Sequence, residues 1–196
     1  MKRVFDILLS LVGLTILTPV LLAIAVGIAV CDGRPVFFRQ ERIGYRGRPF
    51  LIWKFRTMRN GEHASGRQVT VAGDPRITRL GGWLRRTKLD ELPQLFNVLA
   101  GEMSFVGPRP EVERYVRTYS ERQRRVLELK PGITDAASIA YRDESTLLAK
   151  HADPERIYLE SIVPAKIRLN LVYARRATVW RDLILIVRTL VRLVRI

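Results

Sequence analysis

Between Asp6 and Asp32 the chain carries no charged residue, and apolar side chains fill nearly every position. A straight helix over Ile7 to Val30 would run about 36 Å, enough for a hydrocarbon core of about 30 Å. Pro19, preceded by Thr18, falls near the middle of the run. Proline removes a backbone hydrogen bond and crowds the preceding turn, so the pattern predicts a kink there. Each half is then about 18 Å long, too short to cross alone. The hydroxyls of Thr15 and Thr18 are placed to satisfy carbonyls freed by the proline. Lys2 and Arg3 flank one end, and Arg34, Arg39 and Arg42 follow the other. Cationic flanks tend to stay cytoplasmic. The pattern suits a spanning helix and a re-entrant helix bent at Thr18-Pro19 equally. The run is long for a signal peptide and lacks a small-x-small cleavage pattern, so it reads as a retained membrane segment.

Beyond it the periodicity shortens. The stretches 36–43 and 50–57, joined by Tyr45-Arg46-Gly47-Arg48, predict a β-hairpin. In the second strand Leu51, Trp53 and Phe55 alternate with Ile52, Lys54 and Arg56. The first set is expected on the core, with Lys54 and Arg56 on the opposite face. Residues 59–74 carry little apolar surface and read as a loop able to close over a ligand. Asp74-Pro75 predicts a helix start, with Ile77, Leu80 and Leu84 on one face. A further helix opens in LDELPQLFNVL, with Pro93 in its first turn. Helices are also expected over 111–128 and over 153–174, the latter interrupted by Pro164. Lys130-Pro131-Gly132 reads as a type II turn.

The last segment, WRDLILIVRTLVRLVRI, places Arg181, Arg188, Arg192 and Arg195 in a narrow helical sector, with Leu, Ile and Val over much of the rest. That suits a basic amphipathic helix in a headgroup layer. An ordinary helix packed on the core, with its arginines in water, has the same pattern. The fold class is thus α+β and mostly helical, with an apolar N-terminal helix, a small antiparallel hairpin and amphipathic helices. Alternating strands and helices, a GxGxxG turn and a Walker loop are absent, which argues against a standard nucleotide fold.

Charge narrows the partner. Lys and Arg number 34 against 19 Asp and Glu in 196 residues, a net charge of +15. Such an excess points to an anion: nucleic acid, acidic lipid or a phosphorylated small molecule. One cysteine, Cys31, excludes an intrachain disulfide, and with His63 and His151 it supplies too few ligands for zinc.

Two stretches could carry chemistry. In RRTKLDELPQ, Asp90 and Glu91 sit at a predicted helix start, where the dipole favours an ionised carboxylate. Such a carboxylate can be a nucleophile, and its neighbour a ligand for a divalent cation; helix capping by the same residues is the plainer reading. Arg85, Arg86 and Lys88 beside them fit ion pairing or a site for phosphate plus metal. In SFVGPRPE, Pro108 and Pro110 bracket Arg109 on a stiff mount suited to bidentate phosphate binding. A salt bridge to Glu111 or Glu113 is the alternative.

Taken in order, KRVFDILLS with a Pro-kinked apolar helix, KFRTM, LDELPQLFNVLAGEMSFVGPRPE, KPGIT and a C-terminal W-x-D helix resemble the small monotopic phosphoglycosyl transferases, a family of bacterial sugar transferases. The resemblance covers nearly the whole chain. It implies transfer of a phosphosugar from a UDP-sugar to polyprenol phosphate (undecaprenyl phosphate), with release of UMP and a covalent aspartyl intermediate. Asp90 matches the family's nucleophile and Glu91 its ligand for Mg2+. Arg85 and Arg109 match phosphate-site residues, and Lys54 a basic residue nearby. Arg142 and Asp182 match possible nucleotide-sugar contacts. The resemblance also implies a re-entrant helix over 1–31 broken at Thr18-Pro19, and a catalytic domain over 32–196 on the cytoplasmic face of a bacterial inner membrane. Its partners would be UDP-sugar, polyprenol phosphate and membrane lipids, not nucleic acid. Without a large N-terminal membrane domain the chain would be the minimal form. One departure stands out: KPGIT continues with Asp135-Ala136-Ala137-Ser138, where many members have Gly-x-Ala-Gln.

Overall fold

A computed structural model describes residues 1–59, 70, 71 and 73–194. The predicted 59–74 loop, and Arg195 of the basic stripe, fall mostly or wholly outside them. The first element is α1 (Lys2–Cys31), long and apolar enough to cross a membrane. It runs through Pro19 as one helix. The carbonyl that Pro19 leaves without its partner is that of Thr15, four residues back. The threonine hydroxyls go elsewhere: Thr15 donates to the Leu11 carbonyl at 2.9 Å and Thr18 to the Leu14 carbonyl at 2.6 Å.

Both ends of α1 pack on the rest of the molecule. Asp6 and Ser10 are buried near the start, and Ile24 and Ile28 near the end. A Cβ on Gly13 would touch Leu95, and one on Gly27 would touch Leu80. Between these contacts Ile16, Val20 and Leu22 are exposed.

The hairpin forms as the alternation predicts. β1 (Phe37–Ile43) pairs antiparallel with β2 (Pro49–Phe55), with Arg39 opposite Trp53 and Phe38 opposite Lys54. Its faces differ from expectation. Leu51 is 48% exposed, whereas Ile52 is buried against Val98 and Met103. Phe55 is buried with Ile24, Ile28 and Leu84. Both faces of β2 are therefore partly covered, and simple alternation fails.

α2 (Arg79–Thr87) begins four residues later than Asp74-Pro75 suggested, with Thr78 as its cap accepting from the Gly81 N–H. Asp74 is engaged in a turn: its carboxylate takes the Arg76 backbone N–H and guanidinium. The Thr78 N–H bonds to the Thr57 carbonyl, which holds residue 78 extended. After α2 comes a single 3-10 turn, Leu89–Glu91, then α3 (Gln94–Ala100) with Pro93 as its N-cap residue.

β3 (Ser104–Val106) pairs in parallel with β4 (Gly132–Thr134). Lys130-Pro131-Gly132 is therefore not a type II turn, and Gly132 is not among the glycines with positive φ. Its lack of a side chain serves close approach instead. A Cβ on Gly132 would sit 2.1 Å from the Gly107 nitrogen, and one on Gly107 would sit 2.1 Å from the Lys130 carbonyl oxygen.

The helix expected over 111–128 is broken into α4 (Glu113–Val116), α5 (Glu121–Arg124) and a 3-10 turn, Arg125–Glu128. Ser120 and Gln123 form a capping box that starts α5 afresh. α6 (Ala136–Ala140) and α7 (Glu144–Leu148) are short. α8 (Pro154–Ile157) passes through a π-helical turn, Tyr158–Ile162, into α9 (Val163–Ala174). The wide turn accommodates Pro164, whose missing N–H would have bonded to residue 160. The main core gathers Val112, Tyr115, Val116, Tyr119, Val126, Leu148, Tyr158, Ile162, Val163 and Ile167 from these pieces.

α10 (Val179–Val194) presents Asp182, Leu185 and Thr189 inward. Trp180, Ile184, Val187 and Val191 line its outer side, all exposed. An apolar stripe left open to the outside, with Arg181 and Arg188 exposed beside it, is the amphipathic form predicted.

Candidate active site

Gly81 and Asn97 bring the charged residues together. Gly81 in the first turn of α2 lies where a Cβ would be 2.2 Å from the Thr57 carbonyl oxygen. α2 therefore rests directly on the backbone after β2, and one turn later Arg85 donates to the Thr57 hydroxyl at 3.2 Å. Asn97 of α3, 1% exposed, completes the edge of β2. It accepts from the Trp53 N–H at 3.0 Å and donates to the Leu51 carbonyl at 2.7 Å. The turn carrying Asp90 and Glu91 is thereby set beside Lys54.

Asp90 and Glu91 are both buried, within a 3-10 turn entered through Lys88 in the left-handed region (φ 58°). The Lys54 ammonium donates to Glu91 Oε1 at 2.8 Å. The Arg109 guanidinium donates to the same oxygen at 2.8 Å and to Oε2 at 3.4 Å. Arg109 is thus turned to Glu91, not to Glu111 or Glu113. Glu111 lies 3.7 Å from Arg42 and accepts from the Tyr158 hydroxyl. Asp90 Oδ1 is buried without a hydrogen-bond partner.

The Arg109 mount is backbone on backbone. Gly107 N–H bonds to the Thr134 carbonyl at 3.0 Å, and Gly132 N–H to the Pro108 carbonyl at 3.1 Å. Asp135, the departure from the resembled family, is part of this mount. Its Oδ2 accepts from the Arg109 N–H at 3.2 Å and from the Asn170 amide at 2.7 Å, and its other oxygen caps α6.

The electrostatics separate the two acids. Burial alone would raise the Glu91 carboxyl, but Arg109, then Lys54 and Lys88, hold it well below the usual carboxylate range. Burial, then the Glu91 charge, push Asp90 up, against Lys54, Lys88 and Arg85. A helix dipole was expected to keep Asp90 low; the turn is too short to supply one, and desolvation prevails. Burial brings Lys54 down to about 8 although Glu91 pulls it up. Burial likewise lowers Arg85, while the Glu91 charge raises Arg109. The cluster sets Lys54, Arg85, Lys88 and Arg109 against two carboxylates, a local excess of positive charge suited to a phosphate-bearing ligand.

Arg142 lies exposed in the turn after α6, with no contact to this cluster among the described residues. Asp182 is buried on α10, bound by Lys2 at 2.7 Å and by the Tyr173 hydroxyl at 2.8 Å, also away from the cluster. The sequence reading missed Asn97, Thr57 and Asn170 as positioning groups, since nothing local marks a buried amide that completes a distant strand.

A divalent cation fits the donors present. Among the described residues no three His, Cys, Asp or Glu side chains converge. The Glu91 carboxylate, held ionised, suits an ion that takes one or two carboxylates and fills its shell with water and substrate phosphate, as Mg2+ does.

The sequence profile described as bacterial sugar transferase matches residues 1–196. A UDP-glucose:undecaprenyl-phosphate glucose-1-phosphate transferase of Xanthomonas campestris pv. campestris is 41% identical over 196 residues, covering 97% of this chain and 38% of the relative. The protein of the same description from Escherichia coli (strain K12) is 38% identical over 191 residues, covering 93% and 38%. A UDP-N-acetylgalactosamine-undecaprenyl-phosphate N-acetylgalactosaminephosphotransferase of Aeromonas hydrophila is 34% identical over 194 residues, covering 96% and 42%. The chain thus spans about two-fifths of the length of these relatives.

Proposed function

The chain belongs to the bacterial sugar transferase family, and from that premise we propose that it moves a sugar phosphate from a UDP-sugar to undecaprenyl phosphate, releasing UMP. The observation that carries this reading is Asp90: buried, with one carboxylate oxygen unpartnered, inside a cluster of four cations. That oxygen attacks the β-phosphorus of the donor. The bond between the β-phosphorus and the bridging oxygen breaks, and UMP leaves with that oxygen. The sugar phosphate is left on Asp90 as an acyl phosphate. An oxygen of undecaprenyl phosphate then attacks the same phosphorus, and Asp90 is released as a carboxylate. Two displacements at one group give ping-pong kinetics.

Arg85 and Arg109 hold the phosphoryl oxygens in line and offset charge as it develops. Glu91 would hold Mg2+, which when bound neutralises the diphosphate and eases departure of UMP. Lys54 orients Glu91. The depth of the reaction follows from α1. Both of its ends pack on the catalytic part while its middle is exposed, which supports a re-entrant helix in the cytoplasmic leaflet of the inner membrane.

The test is Asp90→Asn in detergent with Mg2+, a panel of UDP-sugars and undecaprenyl phosphate. Wild type releases UMP with at least one donor, and the variant is slower by at least 10³-fold. Intact mass without acceptor finds one phosphosugar on wild type and none on the variant. UMP release by the variant at the wild-type rate would sink the nucleophile assignment. A wild type inert toward every UDP-sugar would sink the reaction.

A further inference from the structure

The proposed chemistry uses neither the charged residues that open KRVFDILLS nor the aspartate of the C-terminal W-x-D helix. The structure joins them. Asp6, 2% exposed, accepts through Oδ1 from the Ser104 hydroxyl at 3.1 Å and from the Phe105 N–H at 3.2 Å. Lys2 donates to the Val106 carbonyl at 2.9 Å and is paired at 2.7 Å with Asp182, itself held by Tyr173. Arg3 donates to the Val98 and Leu99 carbonyls at the end of α3. Three side chains from the first two turns of α1 thus grip all of β3 and the last turn of α3. β3 runs directly into Gly107-Pro108-Arg109, and α3 follows directly on Asp90 and Glu91. A bare anchor would not need a buried carboxylate aimed at one three-residue strand.

We propose that Lys2, Arg3 and Asp6 form a clasp through which the seat of the membrane helix sets the position of Arg109. Asp6 and Lys2 are then positioning residues for the nucleotide diphosphate, and Asp182 is the post that holds Lys2. The inference rests on the donor site proposed above. Both contacts of Asp6 use one oxygen, so the hydrogen bonds and not the charge are what the clasp requires.

The experiment uses the full chain in nanodiscs, with UDP plus Mg2+ as the calorimetric probe and folding followed by circular dichroism. Asp6→Ala weakens UDP binding about tenfold. Asp6→Asn, which keeps the accepting oxygen, stays within about twofold of wild type. Asp182→Asn, which loosens Lys2, weakens binding about threefold. In an Arg109→Ala background neither Asp6→Ala nor Asp182→Asn causes further loss, because the effect passes through that guanidinium. Equal losses in both backgrounds would make the clasp merely structural and overturn the proposal, as would wild-type affinity in both single variants. Should Asp6→Ala fail to fold, the Asp182→Asn cycle decides alone. Turnover separates this inference from the reaction itself. An active wild type with unaffected clasp variants refutes only the clasp, and an inert wild type that binds UDP with the expected coupling refutes only the reaction.

Discussion

Glu91 Oε1 receives two cations, Lys54 and Arg109, while the adjacent Asp90 Oδ1 receives none. In the proposed reaction this division keeps one acid firmly charged and leaves the other available for attack. It also sets the pH range. The Asp90 carboxyl is raised by burial and by Glu91, so its ionised form, the one the proposed attack needs, is lost as pH falls at values above the usual range for aspartate. Lys54, lowered by burial to about 8, loses its charge as pH rises through that value. The kcat/KM profile, which reports the free enzyme, is therefore expected to be bell-shaped with an alkaline limb near 8. In Lys54→Arg the alkaline limb should vanish, since guanidinium stays protonated. An alkaline limb unchanged in that variant would assign it to another group.

At the level of elements, the least forgiving contact is the one between β3 and β4. Gly132→Ala puts a methyl group into the Gly107 backbone and should cost about 3 kcal/mol through overpacking, read as a lower denaturation midpoint with unchanged slope. Pro19→Ala restores the hydrogen bond to the Thr15 carbonyl. It should favour helix by about 3 kcal/mol and shift α1 toward a spanning state. Protection of an N-terminal protease site in inside-out vesicles measures that shift. The same elements explain what was legible beforehand. The hairpin was readable because alternation is local, and α1 and α10 because their apolar patterns are long. β3 and β4 were not, since three residues hold no period and a parallel pair is specified by two glycines 25 positions apart in sequence. Asp90, Glu91, Lys54, Arg85 and Arg109 were named from motifs, and the structure brings them together. Their pairing pattern was invisible, because it depends on Asn97 and Gly81 setting distant elements edge to edge. Asp182 was assigned by motif alone, and only the fold places it against Lys2.

On the scale of the whole molecule, the exposed apolar residues of the middle of α1 and the outer side of α10 offer themselves to lipid. On the re-entrant reading proposed above, both ends of α1 lie on one side of the bilayer. Cys31, the sole cysteine and exposed, is a native reporter of this. An impermeant maleimide should label Cys31, and a cysteine added ahead of Met1, in inside-out vesicles, and neither in intact spheroplasts. Labelling of the two sites from opposite sides would mean a span.

The ion pair between Lys2 and Asp182 has a consequence for biogenesis. The two residues are about 180 positions apart, so at ordinary elongation rates one waits roughly 10–40 s for the other. Through that interval Asp6 and Arg3 can already meet β3 and α3, but Lys2 lacks its post. The protein should therefore reach the membrane before Lys2 finds its post, and on the proposed reading acquire its full affinity for UDP only once α10 has left the ribosome.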